Sequence, residues 1–521
     1  MLIEAADLAD AGGVDAGTCV IGAGPAGLTV ASELAAAGED VVLLESGPGS
    51  SDLNRGESAG YPYFRLDVAR LRGIGGSRAA WLPPGDVRWP LNGGLRSRRF
   101  DPSDFDQHDH SGRRLWPFAF DELVPHFERA EALLGLAANE GLLAPPPPTG
   151  PGLETALFQF SDPARFDAIA GELIASEHAR IVRGATALRL ETGAMHARCT
   201  GVTVADDRGR TFTVRARRVV VAGGGIENAR LLLLSSAANP DGMGNEHGHL
   251  GRWFGEHLHV EAAHLLLADG VEPGDFAFLR RTGTASAGAI GGFRVPDAER
   301  ERLGLLNATI GMLPRHVART TLTARAGAEL IWALRNRSLP LHWQRRSARV
   351  MARPDQAARA LRTLLPGMPP ERAMLLMVTS EQAPNPRSRV TLAASRDRLG
   401  QPRTRLEWRM TGRDLASLRG TVATASEALE ATGLGRVVSL VDQPWGFPRI
   451  HGCWHAMGTT RMSADPRDGV TDPFGRVHSM ENVYVAGSSV FPTGGASTVT
   501  LSIVALALRL ADHLLGRPSA G

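Results

Sequence analysis

The strongest constraint on the fold of this chain is a glycine-rich turn that joins an apolar strand to a helix near the N-terminus. Residues 18–22 read as a short buried strand, residues 28–38 carry apolar side chains at helical spacing, and residues 40–46 read as a second buried strand. A strand, a helix and a strand in this order form a βαβ unit, which starts a parallel sheet. The sequence therefore predicts an α/β fold with a doubly wound sheet.

The turn itself has the spacing G-x-G-x-x-G, and each of its glycines has a separate task. Gly22 permits the tight turn, Gly24 lets the backbone approach a pyrophosphate, and Gly27 permits close packing of helix on strand. Glu45 ends the second strand, where an acid accepts hydrogen bonds from a ribose diol. The motif predicts a bound dinucleotide. The acid, with no arginine pair nearby for a 2′-phosphate, argues against NADP and leaves NAD and FAD open.

Composition removes several classes of chemistry. The 521 residues include 57 basic side chains, and every one of them is arginine. Without lysine the chain has neither a Schiff-base catalyst nor a Walker-type phosphate site. Arginine cannot act as a base at ordinary pH. Any catalytic base is therefore a histidine, a carboxylate, a tyrosine or a cysteine.

Charge, cysteine usage and hydropathy predict where the protein works. A net charge of +2 gives no reason to expect a nucleic-acid partner. Three cysteines lie far apart in the chain, which fits a reducing compartment better than a disulfide framework. No apolar run approaches the length of a transmembrane helix. We expect a cytoplasmic protein without a transmembrane segment.

Further segments narrow the cofactor. Residues 72–77 form a second glycine turn, residues 455–462 read HAMGTTRM, and residues 483–493 run into a threonine-rich start of a last helix. With these segments the chain resembles the glucose–methanol–choline (GMC) flavoprotein oxidoreductases along nearly its whole length, in a compact form similar to the bacterial dehydrogenase and pyranose-oxidase-like branch. The resemblance is carried by residues 22–27, 72–77, Trp81, 116–135, 219–233, 251–258, 381–392 and 451–516.

The resemblance implies two domains. One is a Rossmann-like FAD-binding domain built from discontinuous segments, which we place at residues 1–160, 178–262 and 450–521. The other is an α+β substrate-binding domain with an antiparallel sheet, which we place at residues 263–449.

The resemblance also implies FAD, which we expect to be bound noncovalently. By match to the family, the cofactor-binding positions are Gly22, Gly24, Ala26, Gly27 and Glu45 for the ADP half, Gly76 and Ser77 for the pyrophosphate and flavin, Ala187 for the adenine, Gly487 and Ser488 for the ribityl-pyrophosphate, and Val499 and Thr500 for the flavin.

The family oxidises CH–OH groups. In this reaction a base takes the hydroxyl proton while a hydride moves to flavin N5. His455 occupies the position of that base, and an imidazole suits the task because its pKa lies near the operating pH. His451 is a weaker candidate. Thr498 falls where the family has a second histidine or asparagine, and a threonine hydroxyl can only orient a group there.

The expected substrate is a small alcohol or a sugar hydroxyl. The threonine at position 498 leaves open a GMC-type flavoprotein lyase or another nonoxidative FAD enzyme. A nicotinamide-dependent dehydrogenase is a third alternative. The electron acceptor and the oligomeric state are not defined by the sequence.

Two further patterns invite a functional interpretation. His247, His249, His257 and His259 form paired H-x-H motifs, but no acid or cysteine cluster completes a ligand set, and we expect no metal. Residues 313–364 contain eleven arginines against two acids. These arginines form either solvated helix faces or a docking surface for an anionic or carrier-bound substrate.

Overall fold

The computed structural model describes residues 1–47, 51–77, 95–109, 111–136, 143–162, 164–193, 197–237, 239–283, 287–335, 342–363, 372–442 and 450–517, so that Trp81 lies outside the described residues. The strands are β1 (Leu2–Glu4), β2 (Gly13–Ile21), β3 (Val41–Glu45), β4 (Gly56–Gly60), β5 (Leu95–Ser97), β6 (Glu154–Ser161), β7 (Ala179–Arg183), β8 (Thr186–Thr192), β9 (Cys199–Ala205), β10 (Thr211–Val221), β11 (Leu258–Leu267), β12 (Thr282–Gly283), β13 (Ala287–Arg294), β14 (Ala308–Arg315), β15 (Ala373–Ser380), β16 (Arg389–Arg396), β17 (Pro402–Trp408), β18 (Gly435–Ser439) and β19 (Val483–Val485).

The helices connect and cover these strands. They are α1 (Ala5–Ala11), α2 (Pro25–Ala36), α3 (Ser51–Asn54), α4 (Leu66–Ala69), α5 (Pro102–Phe105), α6 (Val124–Leu134), α7 (Arg165–Ala175), α8 (Glu227–Leu234), α9 (Asp297–Arg302), α10 (Leu322–Arg335), α11 (Trp343–Ala352), α12 (Pro354–Arg362), α13 (Gly412–Ala431) and α14 (Val499–Leu514).

The first sheet has the strand order β1–β7–β3–β2–β10–β9–β8, with β19 paired to β10. Pairing is parallel from β1 through β10 and also between β10 and β19. Strands β8 and β9 add an antiparallel ribbon. This confirms the predicted βαβ start and the Rossmann-like α/β class.

Parallel pairing brings the ends of four strands to one edge of this sheet. Strands β2, β3, β10 and β19 end there, and their buried apolar residues account for the continuous hydrophobic runs in the sequence. Helix α2 starts directly from this edge, and α14 packs against α2. In open α/β sheets ligands bind at the carboxyl ends of the strands, so the edge is the place to look for a site.

The second sheet is antiparallel, in the order β18–β11–β15–β14–β13–β6–β5, with β12 paired to β13. Most of its strands come from the range predicted for the substrate-binding domain. Strands β5 and β6 and the start of β11 fall within the range predicted for the first domain, yet they hydrogen-bond into this sheet. A smaller third sheet joins β16, β17 and β4.

The arginine-rich segment folds into helices α10, α11 and α12, and two of its described arginines are buried. Arg346 is 3% exposed and forms an ion pair with Glu329, which also accepts a hydrogen bond from Nε of buried Arg325 at 3.1 Å. Neighbouring Arg345 is exposed. Arg325 and Arg346 therefore belong to the packing of α10 against α11, and a docking surface on this segment has to consist of its other arginines.

Replacing Arg346 with alanine is expected to lower the free energy of unfolding by about 3 kcal/mol or more, because it leaves the Glu329 carboxylate buried with less compensation. Arg345→Ala is the matched control and should stay within about 0.5 kcal/mol of the parent, as exposed substitutions do. Denaturant unfolding of the two variants makes the comparison. Equal stability would show that the ion pair does not hold these helices together.

Among the described helices, none combines the length and the apolar character that a membrane crossing needs.

Candidate active site

The turn after β2 is built so that only glycine fits at two of its positions. Gly22 has φ +105°, and a Cβ on Gly27 would lie 1.9 Å from the carbonyl oxygen of Gly22. Gly24 caps α2 without a side-chain hydrogen bond, and a Cβ on it would meet nothing within 4 Å. The first turn of α2 therefore exposes backbone N–H groups beside open space, as binding of a phosphate requires.

Glu45 holds this turn together. The buried carboxylate accepts hydrogen bonds from the backbone N–H groups of Ala23 at 3.0 Å, Gly47 at 2.9 Å and Gly73 at 2.9 Å. The sequence assigned Glu45 to a ribose diol, whereas the structure also makes it the anchor of three backbone segments. A carboxylate has roughly four acceptor positions, so one remains for a ribose hydroxyl.

The second glycine turn packs directly on the first. Gly75 donates its N–H to the carbonyl of Ala23 at 2.8 Å. Gly76 has φ +60°, and a Cβ on it would lie 3.0 Å from Gly24 Cα. The Ser77 hydroxyl accepts a long hydrogen bond of 3.4 Å from the Leu71 N–H. Residues 72–77 thus lie beside the start of α2, as the family match implies.

The loop after β19 reaches the same place. Gly487 has φ +106°, and a Cβ on it would lie 3.8 Å from Ala26 Cβ. The Ser488 hydroxyl donates to the carbonyl of Ala456 at 2.7 Å. Two glycine turns, this loop and the open end of α2 form a cradle. Within the described residues a Cβ on Gly24 or on Gly73 would meet no atom within 4 Å, which fits an extended dinucleotide.

The remaining predicted cofactor positions lie on two other elements. Ala187 is half-buried on β8, while Val499 and Thr500 are buried in the first turn of α14.

His455 is held at its backbone and at its ring. Its N–H donates to Glu256 Oε2 at 3.0 Å. Its Nδ1 lies 2.8 Å from Nδ1 of His257, with the two rings nearly perpendicular. Burial, then His257, Arg96 and His259, lower the pKa of His455 well below its ordinary value. The imidazole is therefore neutral at physiological pH and able to accept a proton.

His257 is in turn fixed by two backbone carbonyls. Its Nε2 lies 3.0 Å from the oxygen of Gly494 and 2.9 Å from that of Gly495. Burial lowers the pKa of His257 to about 4. The sequence treated His257 as one of four spaced histidines and missed its contact with His455. The only available signal was its place beside Glu256 just before β11.

Thr498 is engaged elsewhere. Its hydroxyl donates to the backbone carbonyl of Arg96, and the structure gives it no hydrogen bond to His455 within the described part of the chain. His257, and not Thr498, contacts the imidazole of His455. The orienting role that the sequence gave to Thr498 therefore has no direct contact with His455 to support it.

The other histidines do not converge. His249 Nε2 contacts the carbonyl of Arg467 at 2.7 Å, and His259 Nδ1 contacts the Thr379 hydroxyl at 3.0 Å. The ring of His451 stacks on Phe64 at 6.5 Å between centroids. In the described ranges no group of three or more potential metal ligands assembles.

One cation lies close to these imidazoles. The Arg96 guanidinium sits 4.6 Å from the centroid of the Phe158 ring and contributes to the low pKa of His257, His259 and His455. Within the resolved ranges of the chain no carboxylate forms an ion pair with it. The carboxyl group next to His455 is Glu256, whose pKa burial raises to about 7. Below that pH the surroundings of His455 are therefore neutral to cationic.

Comparison with known families gives two matches. A family profile described as GMC oxidoreductase matches residues 384–507, and one described as FAD dependent oxidoreductase matches residues 18–341.

Individual proteins agree with these profiles. Paromamine 6'-oxidase from Streptomyces fradiae is 28% identical over 95% of this chain and 91% of its own length. 2-Methyl-1,2-propanediol dehydrogenase from Mycolicibacterium austroafricanum is 24% identical over 96% and 95%. The crystal structure of pyridoxine 4-oxidase from Mesorbium loti superposes with a TM-score of 0.54 at 18% identity, covering 96% of this chain and 100% of that one. The superposition shows a shared fold.

Proposed function

The chain belongs to the GMC family of FAD-dependent oxidoreductases that act on CH–OH groups, and on this premise we propose that His455 is the base that takes the hydroxyl proton. FAD, when bound, supplies the acceptor for the hydride of the carbinol carbon. One observation carries the assignment of the base. His455 is half-buried and neutral, with Nδ1 occupied by His257, so Nε2 is the nitrogen left to receive the substrate proton.

The cradle at the carboxyl edge of the first sheet supports the assignment of the FAD-binding residues. The open first turn of α2 suits the pyrophosphate, because its N–H groups lack side-chain partners. Gly24 keeps a side chain out of this space, and Gly22 and Gly76 let the neighbouring backbone segments pack closely around it. We propose that these residues, with Ala26, Gly27, Glu45, Ser77, Ala187, Gly487, Ser488, Val499 and Thr500, bind FAD noncovalently.

We also propose a cytoplasmic location. Cys19 and Cys199 are both buried and free, and burial raises the pKa of the Cys199 thiol to about 11, which keeps it protonated and inert. Free buried thiols fit the reducing compartment that the cysteine pattern indicated.

The charge around His455 points to the substrate class. A substrate amine is a cation at neutral pH, and Arg96 would repel it close to the base. The relatives differ in this respect, since one is named for paromamine and another for 2-methyl-1,2-propanediol. We propose that this enzyme oxidises a hydroxyl of a neutral alcohol or sugar, or of one carrying negative charge.

Anaerobic bleaching of the flavin absorbance tests the function and the substrate class together. A neutral diol or sugar is expected to bleach the flavin with a second-order rate constant at least about tenfold above that of paromamine at pH 7. The variant Arg96→Gln should narrow this ratio. Faster bleaching by paromamine would refute the substrate class alone. Turnover of a substrate with no bleaching at all would instead favour a nonoxidative FAD enzyme.

A further inference from the structure

We propose that Glu256 and His257 are positioning residues that hold His455 in the orientation and tautomer that a base requires. The inference rests on the proposed role of His455. The two residues are adjacent in the chain and immediately precede β11. Glu256 binds the backbone of the segment that carries His455, while His257 binds its ring.

Two backbone carbonyls determine the tautomer of His257. The oxygens of Gly494 and Gly495 can only accept hydrogen bonds, so the nitrogen that faces them, Nε2, carries the hydrogen. Because His257 is neutral, with a pKa lowered to about 4 by burial, its Nδ1 has a lone pair. That lone pair faces His455.

The tautomer of His455 follows from that of His257. Across the 2.8 Å contact one Nδ1 has to donate and the other has to accept. His257 accepts, so His455 carries its hydrogen on Nδ1 and its lone pair on Nε2. When Nε2 takes the substrate proton, the Nδ1–H bond to His257 becomes charge-assisted and therefore stronger. The contact thus stabilises the protonated base that forms during the reaction.

Glu256 fixes the backbone on both sides of a strained residue. Its Oε2 accepts the N–H groups of Cys453 and His455, each at 3.0 Å, and its Oε1 accepts the Tyr63 hydroxyl at 2.5 Å. Trp454, between the two donors, has φ +61°. A non-glycine residue in this region costs on the order of 1–3 kcal/mol and needs support from its surroundings. The Glu256 carboxylate provides that support next to the base.

The glycine pair that faces His257 is itself anchored. Both Gly494 and Gly495 donate their N–H groups to Glu381 Oε1 at 3.1 Å. A Cβ on Gly494 would lie 2.7 Å from Met457 Sδ and 3.3 Å from His257 Nε2. The pair therefore presents its amides to a buried carboxylate and its carbonyls to an imidazole, an arrangement that leaves no room for side chains.

Three variants separate positioning from folding. His257→Leu removes the acceptor with little change in volume. His257→Asn restores an amide oxygen near the position of Nδ1. Glu256→Gln keeps an oxygen for the two N–H groups and turns its amide toward Tyr63. His126→Leu is the control, because His126 is also buried, and its hydrogen bonds run to the Glu122 carbonyl and to Asp512.

The experiment combines two readouts on the FAD-loaded enzyme. The first is the pH dependence of the anaerobic rate of flavin reduction by an alcohol substrate. The second is the imidazole proton–nitrogen correlation spectrum of histidine-labelled protein, which identifies the tautomer of His455 independently of activity. Besides His257, the charged and titratable groups that act on the imidazole are Arg96 and His259, while Glu256 binds the backbone N–H groups of Cys453 and His455. These groups stay in place in the His257 variants.

We expect His257→Leu to slow flavin reduction by about 10–100-fold and to abolish the single Nδ1–H tautomer of His455. The acid limb of its pH–rate profile should move to lower pH, because leucine cannot accept the Nδ1–H bond by which neutral His257 stabilises the protonated His455. His257→Asn should retain the tautomer and recover part of the rate, and Glu256→Gln should lower the rate with the tautomer unchanged. His126→Leu should alter neither readout.

An unchanged rate, acid limb and tautomer in His257→Leu would overturn the positioning role. If that variant does not fold, an Nε2–H tautomer of His455 in His257→Asn overturns it instead. A parent-like rate in a variant without His455 would remove the base assignment itself, so the two failures are distinguishable.

Discussion

Replacing His455 with alanine is expected to slow anaerobic flavin reduction by about 10²–10⁴-fold, the usual contribution of a general base. The FAD content should stay at the parent level, because the cradle is formed by residues on β2, α2 and the two glycine turns. Stopped-flow absorbance under anaerobic conditions measures the rate, and the flavin spectrum of the purified protein measures the content.

His451→Ala is the matched control for this variant. His451 lies four residues earlier and stacks on Phe64, so its loss should change the rate far less. A parent-like rate for His455→Ala, or an equal loss in both variants, would contradict the assignment.

The parent enzyme should also show a characteristic pH dependence. Burial and neighbouring groups lower the pKa of His455 below its ordinary value of 6.5. A base with a lowered pKa stays neutral as the pH falls through 6.5, and it is lost only when the pH falls through the lowered value. The rate is therefore expected to hold across pH 6.5 and to decline at more acid pH.

Replacing Gly27 with valine is expected to abolish FAD binding and to lower the free energy of unfolding by ~3 kcal/mol or more. The Cβ would lie 1.9 Å from the Gly22 carbonyl oxygen, so α2 has to move away from β2. Denaturant unfolding of the FAD-free protein and titration with FAD, followed by fluorescence, measure the two effects.

Gly24→Ala separates packing from binding at the same turn. Its Cβ would meet no atom within 4 Å and its φ of −79° suits any residue, so the FAD-free protein should stay within about 1 kcal/mol of the parent. The methyl group enters the space proposed for the pyrophosphate, so FAD affinity should still fall. Retention of parent affinity in Gly27→Val would show that the turn is not the dinucleotide site.

Local patterns predicted the start of the first sheet, because its elements form from neighbouring residues. The glycine turn and the elements β2, α2 and β3 around it follow from periodicity and glycine placement within short windows. The same windows could not predict strand membership in the second sheet. Strands β5 and β6 pair with strands from distant parts of the chain, and such pairing leaves no local signature.

The sequence predicted His455 as the base of the candidate site and the glycines of its turns. It did not predict the contacts that support His455. His455 was identified from the family pattern around it. His257 was not, because the two histidines lie 198 positions apart in the chain and only the tertiary fold brings them together. The role of Thr498 stays a prediction, to which the structure adds that its hydroxyl donates to the backbone carbonyl of Arg96. Glu45 combines a predicted ligand position with an anchoring role that no motif describes.

The hydrogen-bonded chain behind His455 crosses the boundary between the two large sheets. Gly494 and Gly495 follow β19 of the first sheet, whereas His257 precedes β11 and Glu381 follows β15, both in the second. This arrangement limits how the enzyme can be diversified. Recombination that exchanges the second sheet between relatives also exchanges His257 and Glu381, which are half of the support of His455. Chimeras that retain native residues at 256, 257 and 381 should keep proton transfer intact while their substrate range changes.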